Sequence, residues 1–318
     1  MTEQPLFVLG VRRSGTTLLR VMLDRNPAIA IPDESYFIPQ LAHRHPGTPV
    51  DADAFLDDVR RLATLREWGL PASAVAERLR PGMTPGEAIG TIFAAYAGLH
   101  GKERWGDKTP LYMQYLPLLE RTFPDARFVH LVRDGRDAAL SFLSVPRGIM
   151  TEGWGHPKDA AGFARLWRTE VEAAQALGRR VGPDRYLELR YEDLVRDSAA
   201  ELARVCAFAN LEFEADMLDY VGRSDSARKP HQQRLNQPPT TGVRDWRTEL
   251  DPPDVVAFED AAGELLAALG YETRSAGPPS PRARLALEGY RATTSAWRGV
   301  GYVMQRSPLW RRRHPPLT

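Results

Sequence analysis

Cysteine is almost missing from this chain: Cys206 stands alone among 318 residues, so no internal disulfide can form and nothing demands an oxidising compartment. It falls in a helical run over 200–210, where a small buried thiol is the expected role. Long apolar runs are missing as well. PLFVLG near the start is far short of a secretory signal core, and no window approaches the roughly 18 apolar residues of a membrane span, so a cytoplasmic setting is expected. Clustered metal ligands are not found: His43 and His45 in LAHRHPG have no carboxylate or cysteine at ligand spacing and read as surface-loop residues, and no metal is expected. Internal repeats are absent, and basic and aromatic residues do not interleave on one element, which argues against nucleic-acid binding. What is present is ordinary for a globular protein, with 43% hydrophobic and 26% charged residues and enough length for a sizeable core.

A net charge of +1 hides an uneven distribution. From Arg282 onward eight arginines face a single acid, Glu288, which leaves the rest of the chain acidic. Pro278, Pro279 and Pro281 mark a linker, so residues 1–275 are expected to form the main domain and 276–318 a basic, aromatic tail. The tail has two readings. It is either a terminal helix packed on the acidic body, or a basic amphipathic element that docks on anionic lipid or a partner protein through Trp297, Tyr302 and Trp310. Self-association as a homodimer stays open beside these.

The order of elements predicts an α/β fold of the P-loop type, with three layers, a central parallel sheet flanked by helices and a helical insertion over about 51–100. LFVLG reads as a strand, and Leu18, Leu19, Met22 and Leu23 recur at helical spacing until Pro27. AIAI is a brief second strand. Helices follow over 51–66, 72–80 and 85–99, the last with Thr84 as N-cap, Pro85 at the first helical position and Glu87 completing a capping box. RFVHLV is a strand that turns through RDGRD into a helix, residues 160–180 place Phe163, Trp167, Val171 and Leu177 on one helical face, and RYLELRYEDLV is a further strand-to-helix unit. His130 is a core residue or a neighbour of a bound ligand, and Trp105 and Trp167 read as packing residues. Residues 223–250 carry no periodicity and are expected to form a long loop.

Residues 10–20, GVRRSGTTLLR, keep the frame of a phosphate-binding loop but carry Thr16 where an NTP-hydrolysing loop has its lysine. Gly10, Gly15 and Thr17 retain the cradle, and Arg13 supplies a cation from inside the loop. Such a loop suits a 5′-phosphate with no γ-phosphate behind it.

These residues resemble the PAPS-dependent sulfotransferases, whose 5′-phosphosulfate loop reads PRSGTT or PKSGTT; here it is VRRSGTT, similar to the bacterial and tyrosylprotein branch. RFVHLVRDGRDAALSF resembles the family's 3′-phosphate element, which implies Arg133 and Ser141 as its clamp. WGDKTP resembles the segment that places a lysine near the transferring group, here Lys108. RYEDLV implies Tyr191 as a neighbour of adenine or phosphate. The late segment SDSARKPHQQRLNQPPTTGVRDWR implies Ser224 and Arg244, with Trp246, over the cofactor. Within that resemblance Ser14, Gly15, Thr16 and Thr17 hold the 5′-phosphate, Arg13 and Lys108 are the cations on the bridging oxygen, and Glu34 in PDESYF aligns with the base. Asp33 competes for that role and otherwise suits helix N-capping.

The expectation is therefore an enzyme moving a sulfuryl group from PAPS, with PAP as product and no metal required, to a hydroxyl of a small molecule, lipid, glycan or peptide tyrosine. Asp245 before Trp246, where the tyrosylprotein enzymes have lysine, and Tyr36, where they have arginine, set peptide tyrosine back. Two alternatives stay in view. A P-loop kinase is opposed by Thr16, and a catalytically idle nucleotide-binding scaffold is opposed by Arg13, Glu34 and Lys108 occurring together.

Overall fold

The structure, a computed structural model, describes residues 4–145, 156–221 and 244–314. Its centre is a five-stranded parallel sheet in the order β2-β3-β1-β4-β5. Strand β1 (Leu6–Leu9) is buried at every position, as a central parallel strand covered on both faces must be. The period of two divides its side chains. Phe7 and Leu9 join one hydrophobic cluster, Leu6 and Val8 another, and Phe128 and Val129 of β4 divide in the same way.

After β1 come α1 (Thr16–Asp24) and the short β2 (Ile29–Ala30), with α1 in the second cluster through Leu19, Met22 and Leu23. Five helices then lead to the next strand: α2 (Ile38–Arg44), α3 (Ala52–Val59), α4 (Ala63–Glu67), α5 (Ala72–Ala76) and α6 (Pro85–Leu99). The helix expected over 51–66 is thus two, broken at Leu62, and that expected over 72–80 ends at Ala76. The capping box of α6 forms as expected, with the Glu87 carboxylate accepting from Thr84 N at 2.8 Å and held below its ordinary pKa by that bond.

Strand β3 (Arg104–Asp107) joins β1 to β2 and was not legible as a strand, because RWGD has a glycine and two charges in four residues. What makes it a strand is tertiary: Trp105 stacks on Phe93 of α6 at 4.6 Å, and Gly106 lies so close to β1 that an added Cβ would be 2.7 Å from the Leu6 carbonyl oxygen. Helix α7 (Leu116–Thr122) leads to β4 (Arg127–Val132), followed by α8 (Gly135–Leu143), the long α9 (Ala160–Val181) and β5 (Tyr186–Arg190). The four-residue register of β1 on β4 and the five-residue register of β4 on β5 set the sheet's main axis.

Helices α10 (Tyr191–Arg196) and α11 (Ser198–Ala209) close the second face, with Cys206 buried there and its thiol pushed up to about 11 by burial. The expected loop over 223–250 is helical at its described end. Residues 222–243 lie outside the described residues, but α12 (Trp246–Glu249) and α13 (Pro252–Ala268) follow at once, and Trp246 is buried. Helix α14 (Pro281–Arg306) then packs along α2 and α9, and α15 (Pro308–Arg313) follows it. Leu287 is buried under α14, Arg291 pairs with Glu172, and Arg298 donates to the Gln114 carbonyl at 2.8 Å.

His45 corrects the sequence reading: it is buried and bonds Asp58 at 3.0 Å, and the same Asp58 receives Arg44 at 3.1 Å. His43 lies edge-on to Tyr302 of α14, with its imidazole pKa lowered to about 4, first by burial and then by Arg306. Among the described residues no group of three or more metal-ligating side chains converges, and no helix is long and apolar enough to cross a membrane.

Candidate active site

All five parallel strands lead at their C-terminal ends into a segment that carries a singled-out residue, where open parallel sheets place their ligands. The loop after β1 fits tightly against β4: a Cβ at Gly10 would be 2.8 Å from the Leu131 carbonyl oxygen. Arg13 and Gly15 both have left-handed backbone, with φ of 71° and 87°. Gly15 is the N-cap of α1 but has no side chain to cap with, so the first-turn N–H groups and the positive end of the helix face the loop. Ser14 is buried, and its hydroxyl has no hydrogen-bond partner among the described residues. An uncapped helix start, an orphaned hydroxyl and two positive-φ residues in sequence form a cradle that fits a phosphate.

From β4 and β5 come the residues that close this cradle on its other side. Arg133 donates to the Arg13 carbonyl at 3.1 Å, and its guanidinium lies 4.7 Å over the Tyr191 ring. Arg133 Nε is buried without a partner among the described residues. Arg13 Nε in turn donates to Ser141 Oγ at 3.0 Å. Tyr191 presses on the loop so closely that a Cβ on Gly15 would be 2.3 Å from its Cδ2. Arg13, Arg133, Ser141 and Tyr191 are therefore one cluster.

Arg136, three residues on, does something else. It is fully buried, bonds Asp134 at 2.8 Å and Glu259 at 2.7 Å, and stacks 3.6 Å from Trp246. VRDGRD thus combines a site arginine with a structural one. Trp167 supports the former by donating its indole N–H to the Arg133 carbonyl at 3.2 Å.

On the opposite side Lys108 and Glu34 meet. Lys108, buried immediately after β3, donates to Glu34 Oε1 at 2.5 Å and to Thr17 Oγ1 at 3.3 Å, so one ammonium spans the start of α1 and the carboxylate. Burial pulls its pKa down, and the Glu34 charge opposes that pull. Tyr36, with φ of 56°, donates its hydroxyl to the other Glu34 oxygen, while burial and Glu34 raise the phenol's pKa.

Asp33 is turned elsewhere, to Arg20 of α1 at 3.2 Å. It does not cap α2 either, whose N-cap is Phe37. Behind Lys108, Asp107 is buried and pushed up to about 7 by that burial. It accepts from the Thr109 hydroxyl at 3.2 Å, and Thr109 Oγ1 in turn accepts from Ser35 N at 2.9 Å, which ties the Glu34 segment to β3.

A model of the sulfotransferase family matches residues 5–215, which include the loop after β1, Glu34, Lys108, Arg133, Ser141 and Tyr191. The chain belongs to the sulfotransferase family. It is 26% identical over 292 residues to protein-tyrosine sulfotransferase A of Caenorhabditis elegans, covering 88% of this chain and 70% of the relative. To nodulation protein NoeE of Sinorhizobium fredii it is 27% identical over 326 residues, covering 92% and 72%. Among solved structures, the sulfotransferase domain of the curacin biosynthetic pathway superposes with a TM-score of 0.61 at 21% identity, covering 85% of this chain and 99% of that one.

Of the two remaining expected cofactor residues of this sulfotransferase, one is not among the described residues and the other bonds residues outside the cluster. Ser224 lies outside the described residues. Arg244 bonds Ser144 at 3.0 Å and Glu249 at 2.8 Å, at the C-terminal end of α8, one turn beyond Ser141. Trp246 is a packing residue beneath Arg136. His130 is a core residue, bonded to Tyr186 at 2.7 Å and Glu188 at 3.1 Å. Sequence reasoning did not find the Tyr36 hydroxyl on Glu34, the Trp167 support of Arg133 or the buried Asp107. Only the last had a visible signal, its place beside Lys108 in GDKTP.

Proposed function

We propose that this enzyme transfers the sulfuryl group of PAPS to an acceptor hydroxyl, with Glu34 as base and Arg13 and Lys108 as the cations at the bridging oxygen. The observation that carries the reading is the contact of Lys108 with both Thr17 and Glu34, because it joins the phosphate cradle to a carboxylate through one buried cation. Ser14, Gly15, Thr16 and Thr17 hold the 5′-phosphate, while Arg133, Ser141 and Tyr191 hold the 3′-phosphate side. Bound PAPS supplies a sulfuryl group whose departure leaves negative charge on the bridging phosphate oxygen. Arg13 and Lys108 meet that charge, Lys108 from a buried position. Glu34 accepts the acceptor's proton as the new S–O bond forms and the old one breaks in line, and Tyr36 and Lys108 hold the carboxylate at the orientation it needs.

The acceptor is a hydroxyl compound. Relatives named protein-tyrosine sulfotransferases make peptide tyrosine one candidate. The Tyr36 hydroxyl, turned onto Glu34 where that branch has arginine, removes a cation from the acceptor side and favours a less acidic acceptor such as a small molecule, lipid or glycan.

A thermal-shift comparison tests the donor: PAP is expected to raise the melting temperature well beyond ATP with Mg²⁺, and EDTA to leave transfer intact. Glu34→Gln is expected to lower turnover by roughly 10²–10⁴ with PAP binding kept, whereas Arg133→Ala weakens PAP binding first. Preference for ATP with strict Mg²⁺ dependence overturns the reading.

A further inference from the structure

Helix α14 has two unlike faces. Its 26 residues, about 39 Å of helix, turn Leu287, Tyr290, Arg291 and Thr294 toward the body. Residues 285, 292, 296, 300 and 303 recur at helical spacing on the other side, and they are Leu, Ala, Ala, Val and Val. This stripe lies in solvent: Leu285 is 76% exposed and Val303 66%, and Leu309 of α15 continues it at 75%. A hollow of about 440 Å³ lined by Pro279, Pro281, Arg284, Leu285 and Glu288 adjoins the stripe at its N-terminal end. Glu288 is the one acid against the stripe, beside Leu285 and the hollow, and cations border the rest of it. Arg282, Arg284, Arg306 and Arg313 are all exposed, with Glu288 the sole acid of the helix. Trp297 is 44% exposed, and Arg306 lies 4.5 Å over the ring of Tyr302, itself 39% exposed, at the flank of the stripe.

We propose that the outer face of α14 and α15 docks this enzyme on an anionic lipid bilayer, with the Leu285–Val303 stripe entering the headgroup region and the arginines on the lipid phosphates. Charge selects this occupant. A second copy seated on the same stripe would set Arg282, Arg284 and Arg306 against their own counterparts with one glutamate per helix in return, whereas a bilayer bearing acidic headgroups complements all of these arginines. Because the inner face stays bonded to the body through Arg291–Glu172, Arg298–Gln114 and Arg44–Gln305 at 2.8 Å, docking requires no unpacking of the helix.

The test is flotation of the full chain with vesicles of phosphatidylcholine containing about one third phosphatidylserine, against vesicles of phosphatidylcholine alone. Binding is expected only to the anionic vesicles, declining as salt rises, with a blue shift of tryptophan emission. Leu285→Asp with Val303→Asp is expected to lower partition about tenfold or more, and Arg282→Gln and Arg284→Gln about fivefold each. Both sets should leave the melting temperature and PAP binding unchanged, since these side chains are exposed. Equal flotation with neutral vesicles, flotation with neither, or undiminished binding by the aspartate variant overturns the proposal. A concentration-dependent dimer in lipid-free buffer that Leu285→Asp dissolves reassigns the stripe to a second copy and overturns it too.

Discussion

Replacing Gly15 by alanine puts a methyl group where the Tyr191 ring already lies. The added carbon would be 2.3 Å from Cδ2 and 2.4 Å from Cε2, more than an ångström inside van der Waals contact, and the backbone there has φ of 87°. Two costs are separable. The left-handed conformation alone costs a non-glycine residue about 1–2 kcal/mol. The clash adds to it, because the ring must swing away, and that swing takes it from beneath the Arg133 guanidinium, a contact worth about 0.5–2 kcal/mol. Gly15→Ala is therefore expected to lose roughly 2–4 kcal/mol of combined stability and PAP affinity. Tyr191→Ala should lose affinity with little loss of fold.

The double variant decides the matter. If the clash is real, Gly15→Ala is less harmful on the Tyr191→Ala background than in the native chain, by about 1 kcal/mol or more in a cycle built from calorimetric PAP titrations and urea melts. Native-like PAP binding by Gly15→Ala alone, or strict additivity of the two changes, refutes the reasoning.

Other consequences follow from burial. Lys108 is 1% exposed and its partner carboxylate 19%, so Glu34→Gln, which strands the more buried charge, should cost more stability in urea than Lys108→Met, about 3 kcal/mol against about 1, although both abolish most turnover; the reverse order contradicts the assignment. Asp107, raised to about 7 by burial, keeps in the folded state a proton that the unfolded chain releases near 3.9. Its contribution is thus present at low pH and lost as pH rises through about 7, and Asp107→Asn should make the stability profile between pH 5 and 8 shallower by roughly 2–4 kcal/mol. Glu170, also raised to about 7 by burial, adds a slope of the same sign that this variant retains. Arg136→Met, which breaks the bonds to Asp134 and Glu259 in the core, should lower the melting temperature by several degrees without changing the ratio of PAP to ATP affinity.

What could be read beforehand was whatever the chain writes locally. The P-loop frame, the capping box at Thr84 and the apolar runs of β1 and β4 each rest on neighbours within a few residues, and all are present. Glu34, Lys108 and Thr17 were named from separate segments, and the structure brings them within bonding distance. What was not legible depended on distant partners. RWGD becomes a strand only because β1 and β2 flank it and Phe93 covers Trp105. Arg133 and Arg136 are alike in sequence, and only Tyr191 on one side and Glu259 on the other tell them apart. Asp33 and Glu34 are adjacent carboxylates, told apart by their partners, Arg20 for the one and Lys108 for the other. His45 read as surface because its partner, Asp58, lies on another helix.

The strand order has a consequence for how such an enzyme changes over time. Glu34 and Lys108 leave the sheet from β2 and β3 on one edge, Arg133 and Tyr191 from β4 and β5 on the other, and the loop after β1 stands between them. Under the proposed roles the 3′-phosphate grip and the base thus occupy separate halves of one sheet, joined at the strand between them. Under those roles, a lineage can rewrite what it sulfates by exchanging side chains around Glu34 while the β4–β5 edge continues to hold the same nucleotide, with Lys108 the one residue of the β2–β3 half that such an exchange must keep.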